Sequence, residues 1–338
     1  MTIETKKLEE TKGTFNLKGI IVGLDSENSK REGVTKSDKD FKALSFDVQT
    51  SPTNRVRVEM FGMERDVVFY SSKVKQSKKV PFENRHKTNL KGYALLGVRL
   101  NPTGNSSDRK TLIEYDAVDF IKDNFKDGDS VSITGQLDFS EFENKQGEMI
   151  NKTSFRIQSI SKEKEEIDFT SEGFTPTSFF KQDIVVTDLL EEENRLFINA
   201  KIIKYNGDLA DASFVVEADK LKKFAKTLKK TLKFGDFIQV KGWVVSEAIQ
   251  SVEKIEAEDE EDDWGGETPE GMDSTYITNY VNELIIVNVD KDSYESQKYS
   301  EEDLFSQEQE NFGEDTISNK DFEEEEEDDD DDELPFSE

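Results

Sequence analysis

Apolar and polar residues alternate over Phe15 to Leu24 (FNLKGIIVGL), Leu44 to Thr50 (LSFDVQT) and Arg55 to Phe61 (RVRVEMF), and each run predicts a half-buried β-strand. Side chains two apart share a face of a strand. In the third run this puts Val56, Val58 and Met60 on a core side. Arg55, Arg57 and Phe61 then form a cationic outer side with one aromatic. Val67 to Tyr70 is a short apolar run, and Tyr93 to Leu100 predicts a further strand. Asp116 to Phe125 (DAVDFIKDNF) spaces its apolar residues at i, i+3, i+4 and i+8, the pattern of an amphipathic helix, and Gly128 ends it. Val131, Ile133, Leu137 and Phe139 alternate along SVSITGQLDF. A polar turn at Asn144 to Gly147 (NKQG) and a return strand over Thr153 to Gln158 (TSFRIQ) complete a long hairpin, with Phe139 in phase with the core.

A second pass of the same order follows. Residues 163–182 are polar, with Gly173 and Pro176, and read as a linker. Strands are predicted over Phe197 to Ile203 and Ala212 to Glu217, a basic helix over Lys220 to Lys230, and strands over Phe237 to Val245 and Glu283 to Val289. FKDGDSVSITG at 125–135 aligns with LKFGDFIQVKG at 232–242, an internal repeat at an offset of 107 residues. Within the second copy, residues 256–273 (EAEDEEDDWGGETPEGMD) are too acidic and Gly-rich to pack and read as a solvated insertion. From residue 294 aliphatic residues are too few to offset the entropy of ordering, so 294–338 reads as a disordered tail. The expected organisation is all-β with small helices: a domain at 10–162, a linker at 163–182, a second domain at 183–293, and the tail.

Charge sharpens this picture. The chain of 338 residues has a formal net charge of −30, but residues 1–255 hold 42 Lys/Arg against 41 Asp/Glu, and residues 256–338 hold 3 against 34. The acidity belongs to the C-terminal quarter, so the near-neutral body remains open to a polyanion. With no cysteine and the single histidine His86, disulfides, Cys-type zinc sites and common triads are excluded. No glycine-rich phosphate loop is present, so neither an enzyme nor a cofactor is expected. No apolar run approaches the ~20 residues that cross a bilayer, which points to a cytoplasmic protein without a membrane partner.

Residues 73–91 (KVKQSKKVPFENRHKTNLK) hold seven Lys/Arg and one Glu, the most basic stretch of the chain. Candidate phosphate contacts are Arg55, Arg57, Lys73, Lys75, Lys78, Lys79, Arg85, Lys87, Lys91 and Arg156. Candidate stacking rings are Phe61, Phe82, Tyr93 and Phe142. Solvated surface is the plain alternative for the lysines, and core for each ring. The helix at 220–230 admits the same two readings, and Trp243 could stack a base or fill the mouth of a barrel.

The run Val131 to Leu137 (VSITGQL), the turn Asn144 to Gly147 and the alternating Phe155 to Gln158 resemble the fourth strand, arm and fifth strand of the bacterial single-stranded-DNA-binding protein family. The end of the chain, Asp328 to Asp332 followed by Glu333-Leu334-Pro335-Phe336, is similar to that family's acidic tip. The resemblance implies oligonucleotide-binding folds, five-stranded Greek-key barrels, here two in tandem. It implies binding of single-stranded DNA without sequence preference, in replication, recombination and repair. It also implies docking of replication and recombination proteins on Leu334, Pro335 and Phe336. Ser337 and Glu338 extend past the phenylalanine, a departure that points to a bacteriophage version acting in the host cytoplasm. A structural or assembly protein of a virion, binding protein rather than DNA, is the competing reading. Self-association is left open.

Overall fold

The computed structural model describes residues 8–87, 90–143, 147, 149–254 and 274–305. The first unit contains β1 (Gly13–Val22), β2 (Lys30–Val34), β3 (Asp40–Gln49), β4 (Arg55–Met63), β5 (Val67–Ser72), β6 (Ser77–Pro81), β7 (Tyr93–Leu95), β8 (Val98–Asn101) and β9 (Lys110–Leu112). Helix α1 (Glu114–Asn124) and the long hairpin β10 (Ser130–Glu143) and β11 (Met149–Lys162) complete it. β1 pairs antiparallel with β3 and β10, β3 with β4, and β10 with β11, while β11 meets β4 in parallel at Arg156 and Glu59. Five strands thus close in the order β1-β3-β4-β11-β10, with a helix between the third and fourth. That is the oligonucleotide-binding barrel. β2 extends the sheet as a hairpin on β3, and β6-β5-β7 form a separate small sheet beside the barrel.

The second unit repeats the plan with β12 (Thr177–Glu192), β13 (Arg195–Ile203), β14 (Leu209–Glu217), α2 (Lys222–Thr231), β15 (Phe237–Lys254) and β16 (Ser274–Glu295). β12 pairs with β13 and β15, β13 with β14, β15 with β16, and β14 meets β16 in parallel. The repeat in the sequence has a structural cause. Gly128 and Gly235 adopt φ of 87° and 80°, and the aspartate after each accepts the backbone N–H of Lys126 or Lys233 at 2.9 Å. Seven residues on, Gly135 lies opposite Phe15, and Gly242 lies opposite Phe180. A Cβ at these positions would fall 2.6 and 2.8 Å from those rings.

The two barrels are one body. Gly13 to Lys18 of β1 pair antiparallel with Thr177 to Gln182 of β12, so a single sheet runs through both, and one apolar core spans both. Residues 177–182, expected as linker, are therefore strand. Their buried Ser178 and Gln182 hide the alternation from a reading based on apolar residues alone. Each arm also clasps the other barrel. Asn54, buried at the β3–β4 turn, donates to the Val244 carbonyl at 3.1 Å and accepts from the Ser246 N–H at 2.6 Å. Reciprocally, Glu141 of the first arm accepts the N–H of Asp211 at 2.8 Å.

The expectation of disorder from residue 294 is corrected for 294–305. β16 reaches Glu295, and the short helix α3 (Glu301–Phe305) follows. Tyr299 and Leu304 are buried against Leu8, Val185 and Ile203, so two apolar residues suffice to strap this acidic segment to the second barrel. The insertion at 256–273 and residues 306–338 lie outside the described residues.

Candidate nucleic-acid interface

Alternation along β4 turns Arg55, Arg57, Glu59, Phe61 and Met63 outward, while Val56, Val58 and Met60 enter the core. The β3 register sets Gln49, Asp47, Ser45, Ala43 and Phe41 beside them. An Arg57 guanidinium nitrogen donates to Ser45 Oγ at 3.0 Å, and the rings of Phe41 and Phe61 sit 5.6 Å apart. Arg31 of β2 lies opposite Ala43 and so shares this face. On the other flank Arg156 lies opposite Glu59, and Arg99 of β8 opposite Ser159. Arg65, just past β4, lines with Met63, Arg99 and Gln158 a cleft of about 450 Å³. Six of the chain's nine arginines therefore stand on or beside one outer face. Arg156 is held by Asp138 at 2.5 Å; among the described residues Arg31, Arg55, Arg65 and Arg99 have no carboxylate partner. An uncommitted guanidinium presents a planar fork of donors that matches a phosphate.

The basic stretch 73–91 does not act as one wall. Phe82 is core of the small sheet, edge-on to Tyr115, and cannot stack a base. Arg85 lies 3.8 Å over Phe82 and makes a two-pronged bond to Asp116 at 2.8 and 3.0 Å, with His86 3.4 Å from the same carboxylate. It locks α1 to the small sheet, and its phosphate-binding fork is used up. Tyr93 is half-buried, donates to Gln76 Oε1 at 3.2 Å, and carries the Lys78 ammonium 4.3 Å over its ring. Lys79 lies 5.7 Å over Phe69 on the opposite side of the sheet, because successive strand residues alternate. Lys73, Lys75, Lys87 and Lys91 are exposed on the turns. What sequence reasoning missed is Arg31, Phe41, Arg65 and Arg99. For Arg99 the signal was present, since Val98-Arg99-Leu100 alternates as clearly as β4 does.

The equivalent face of the second barrel is neutralised. Lys201, only 7% exposed, pairs with Asp211 at 3.1 Å, and Arg195 pairs with Glu283. The hydrogen bond it donates to Glu283 holds the Arg195 guanidinium above its ordinary pKa, against the opposing effect of burial. On α2 and its approach, Lys229 and Lys220 are engaged by Glu191 and Glu217, while Lys222, Lys223, Lys226 and Lys230 are exposed and have no carboxylate partner among the described residues. Trp243 does not fill the barrel mouth. It lies on the outer face of the shared sheet, with its ring 4.3 Å from that of Phe179, which is 39% exposed. Phe142 stands 41% exposed on the first arm, opposite Ile150 of the return strand. Leu334, Pro335 and Phe336 lie outside the described residues. Among the described residues no carboxylate or histidine cluster is arranged to hold a metal, and no helix is long and apolar enough to cross a membrane.

A family model described as YorF matches residues 12–329. No curated protein matches the chain. Among solved structures, the wild-type single-stranded DNA binding protein from Thermus aquaticus aligns over 84% of this chain and 93% of its own at 11% identity and a TM-score of 0.38. A deletion mutant of that protein aligns over 84% and 95%, at 11% identity and a TM-score of 0.37.

Proposed function

With residues 12–329 matched by its model, the chain belongs to the YorF family, and we propose that this member binds single-stranded DNA without sequence preference along the outer face of its first barrel. The observation that carries the reading is that Arg31, Arg55, Arg57 and Arg99 stand on or beside one outer face with the paired rings of Phe41 and Phe61. Single strands are held by cations that follow the phosphates and by aromatic faces that stack bases, and neither interaction needs a particular sequence. The second barrel, whose corresponding face pairs Arg195 with Glu283 and Lys201 with Asp211, serves chiefly to buttress the first. Arg85 and Phe82 drop out of the binding set. Lys73, Lys75, Lys78, Lys79, Lys87 and Lys91 supply a more distant positive field.

Residues 314–338 hold 15 acidic residues and one lysine, enough charge to imitate a nucleic-acid backbone and compete for the arginine face. DNA that displaces them frees Leu334-Pro335-Phe336 to dock replication and recombination proteins. Removing residues 306–338 should therefore raise affinity for oligo-dT, most strongly at low salt; unchanged affinity counts against the competitor role.

The reading itself is tested by the salt dependence of oligo-dT binding. Each phosphate neutralised on a single strand contributes about −0.7 to the log–log slope. Arg55→Ala/Arg57→Ala should flatten the slope by about 1.4 and weaken binding. A wild-type affinity that does not change with salt favours the protein-binding assembly role instead.

A further inference from the structure

The arginine face does not end at Phe61. Two residues on, Met63 leads into the cleft of about 450 Å³ between the small sheet and the wall of the first barrel. That volume is within the range of small-molecule sites, roughly 300–1,000 Å³. Its apolar side is made by Val67, Phe69 and Leu96, the last 54% exposed. Arg65 and Arg99, both exposed and without a carboxylate partner among the described residues, stand at its edges. Gln158 is an extra residue in β11: Thr134 and Gly135 pair with Ser159 and Ile157, leaving it unopposed. The bulge turns its amide out of the ladder and into the lining, where it has both donors and an acceptor to offer.

We propose that this cleft is a single-nucleotide site, taking one base that has left the stack of a bound single strand. This deepens, and rests on, the reading that the outer face of the first barrel carries DNA. The base lies against Phe69 and Leu96, Gln158 bonds its edge, and Arg65 and Arg99 hold the phosphates on either side. Glu114 and Tyr115 complete the lining, and an apolar floor with one adaptable amide and two guanidinium groups makes a site that a peptide side chain would only partly satisfy. A bulge at this point in a barrel strand has a purpose under this reading, since bulges re-aim side chains beside functional sites.

The test uses the full chain and oligo-dT in which single thymines are replaced, one position at a time, by photoreactive 5-iodouracil. Crosslinks mapping to the peptides around Phe69 or Leu96, from one oligonucleotide position at a time, are the expected result. Leu96→Glu, which places a carboxylate at the exposed edge of the cleft, should remove those crosslinks and weaken oligo-dT binding by about fivefold or more while leaving the melting temperature unchanged. Crosslinks confined to the Phe41 and Phe61 peptides, with Leu96→Glu binding as wild type, overturn the cleft site but leave the binding face intact. Failure of the wild-type chain to bind oligo-dT overturns both.

Discussion

At the scale of single residues, the distinction that matters is between cations that are available and cations already engaged. Lysine and arginine counts along the sequence favour residues 73–91, yet Arg85 is consumed by Asp116, and Lys78 and Lys79 point to opposite sides of a strand. Pairing partners come from elsewhere in the chain, and composition carries no record of them. Lys30 and Lys42 show the same effect, since both converge on Asp119 of α1, Lys30 at 2.6 Å. Burial pushes the Asp119 carboxyl up, but the hydrogen bonds from Lys30 and Lys42 outweigh it and hold the group below the ordinary 3.8. A carboxyl depressed in the folded state contributes stability that is complete above its unfolded value and is lost as pH falls through its folded value. The stability difference between wild type and Asp119→Asn should hold steady from pH 7 to pH 5 and shrink below about pH 4. Thermal melts across that range check it; a difference that grows on acidification would contradict the pairing.

At the scale of elements, the strands of the first barrel and its helix were legible because their alternation is clean: Val56, Val58 and Met60 are buried as their phase requires. β12 was not, because Ser178 and Gln182 occupy inward positions that an apolar template leaves blank. β2 and β6 were missed for another reason. Each buries at most one side chain and needs no regular apolar row. The repeated glycine is the most specific element signal in the chain, and its role can be probed directly. In Gly135→Ala the new Cβ would lie 1.9 Å from the Arg156 carbonyl and 2.6 Å from Phe15. Neither backbone nor buried ring can yield cheaply, so the substitution should cost about 3 kcal/mol, read from chemical denaturation, and Gly242→Ala should behave alike. Gly173→Ala, where nothing lies within 4 Å of the added carbon, is the matched control and should be near neutral.

At the scale of the whole molecule, the tandem plan was visible in the 107-residue repeat, but the way the copies join was not. Hydrophobic periodicity reports which face of a strand is buried and says nothing about which edge it offers to a neighbour. The structure shows the two first strands edge to edge and each arm clasping the opposite barrel through Asn54 and Glu141. It also shows an asymmetry that a count of repeats would not suggest: among the described residues the first barrel keeps Arg31, Arg55, Arg65 and Arg99 clear of carboxylates, while the corresponding face of its twin pairs Arg195 with Glu283 and Lys201 with Asp211.

That edge-to-edge seam makes the peptide between the copies mechanically redundant. Residues 163–176 are mostly exposed and bridge units already joined by six paired residues and a common interior. Cutting the chain after residue 171 should leave the halves associated: co-expressed as 1–171 and 172–338, they should elute together and melt in one transition. If they part on a sizing column, the covalent tether is what keeps the copies together. If they stay joined, the protein is in effect a heterodimer that happens to be synthesised as one polypeptide.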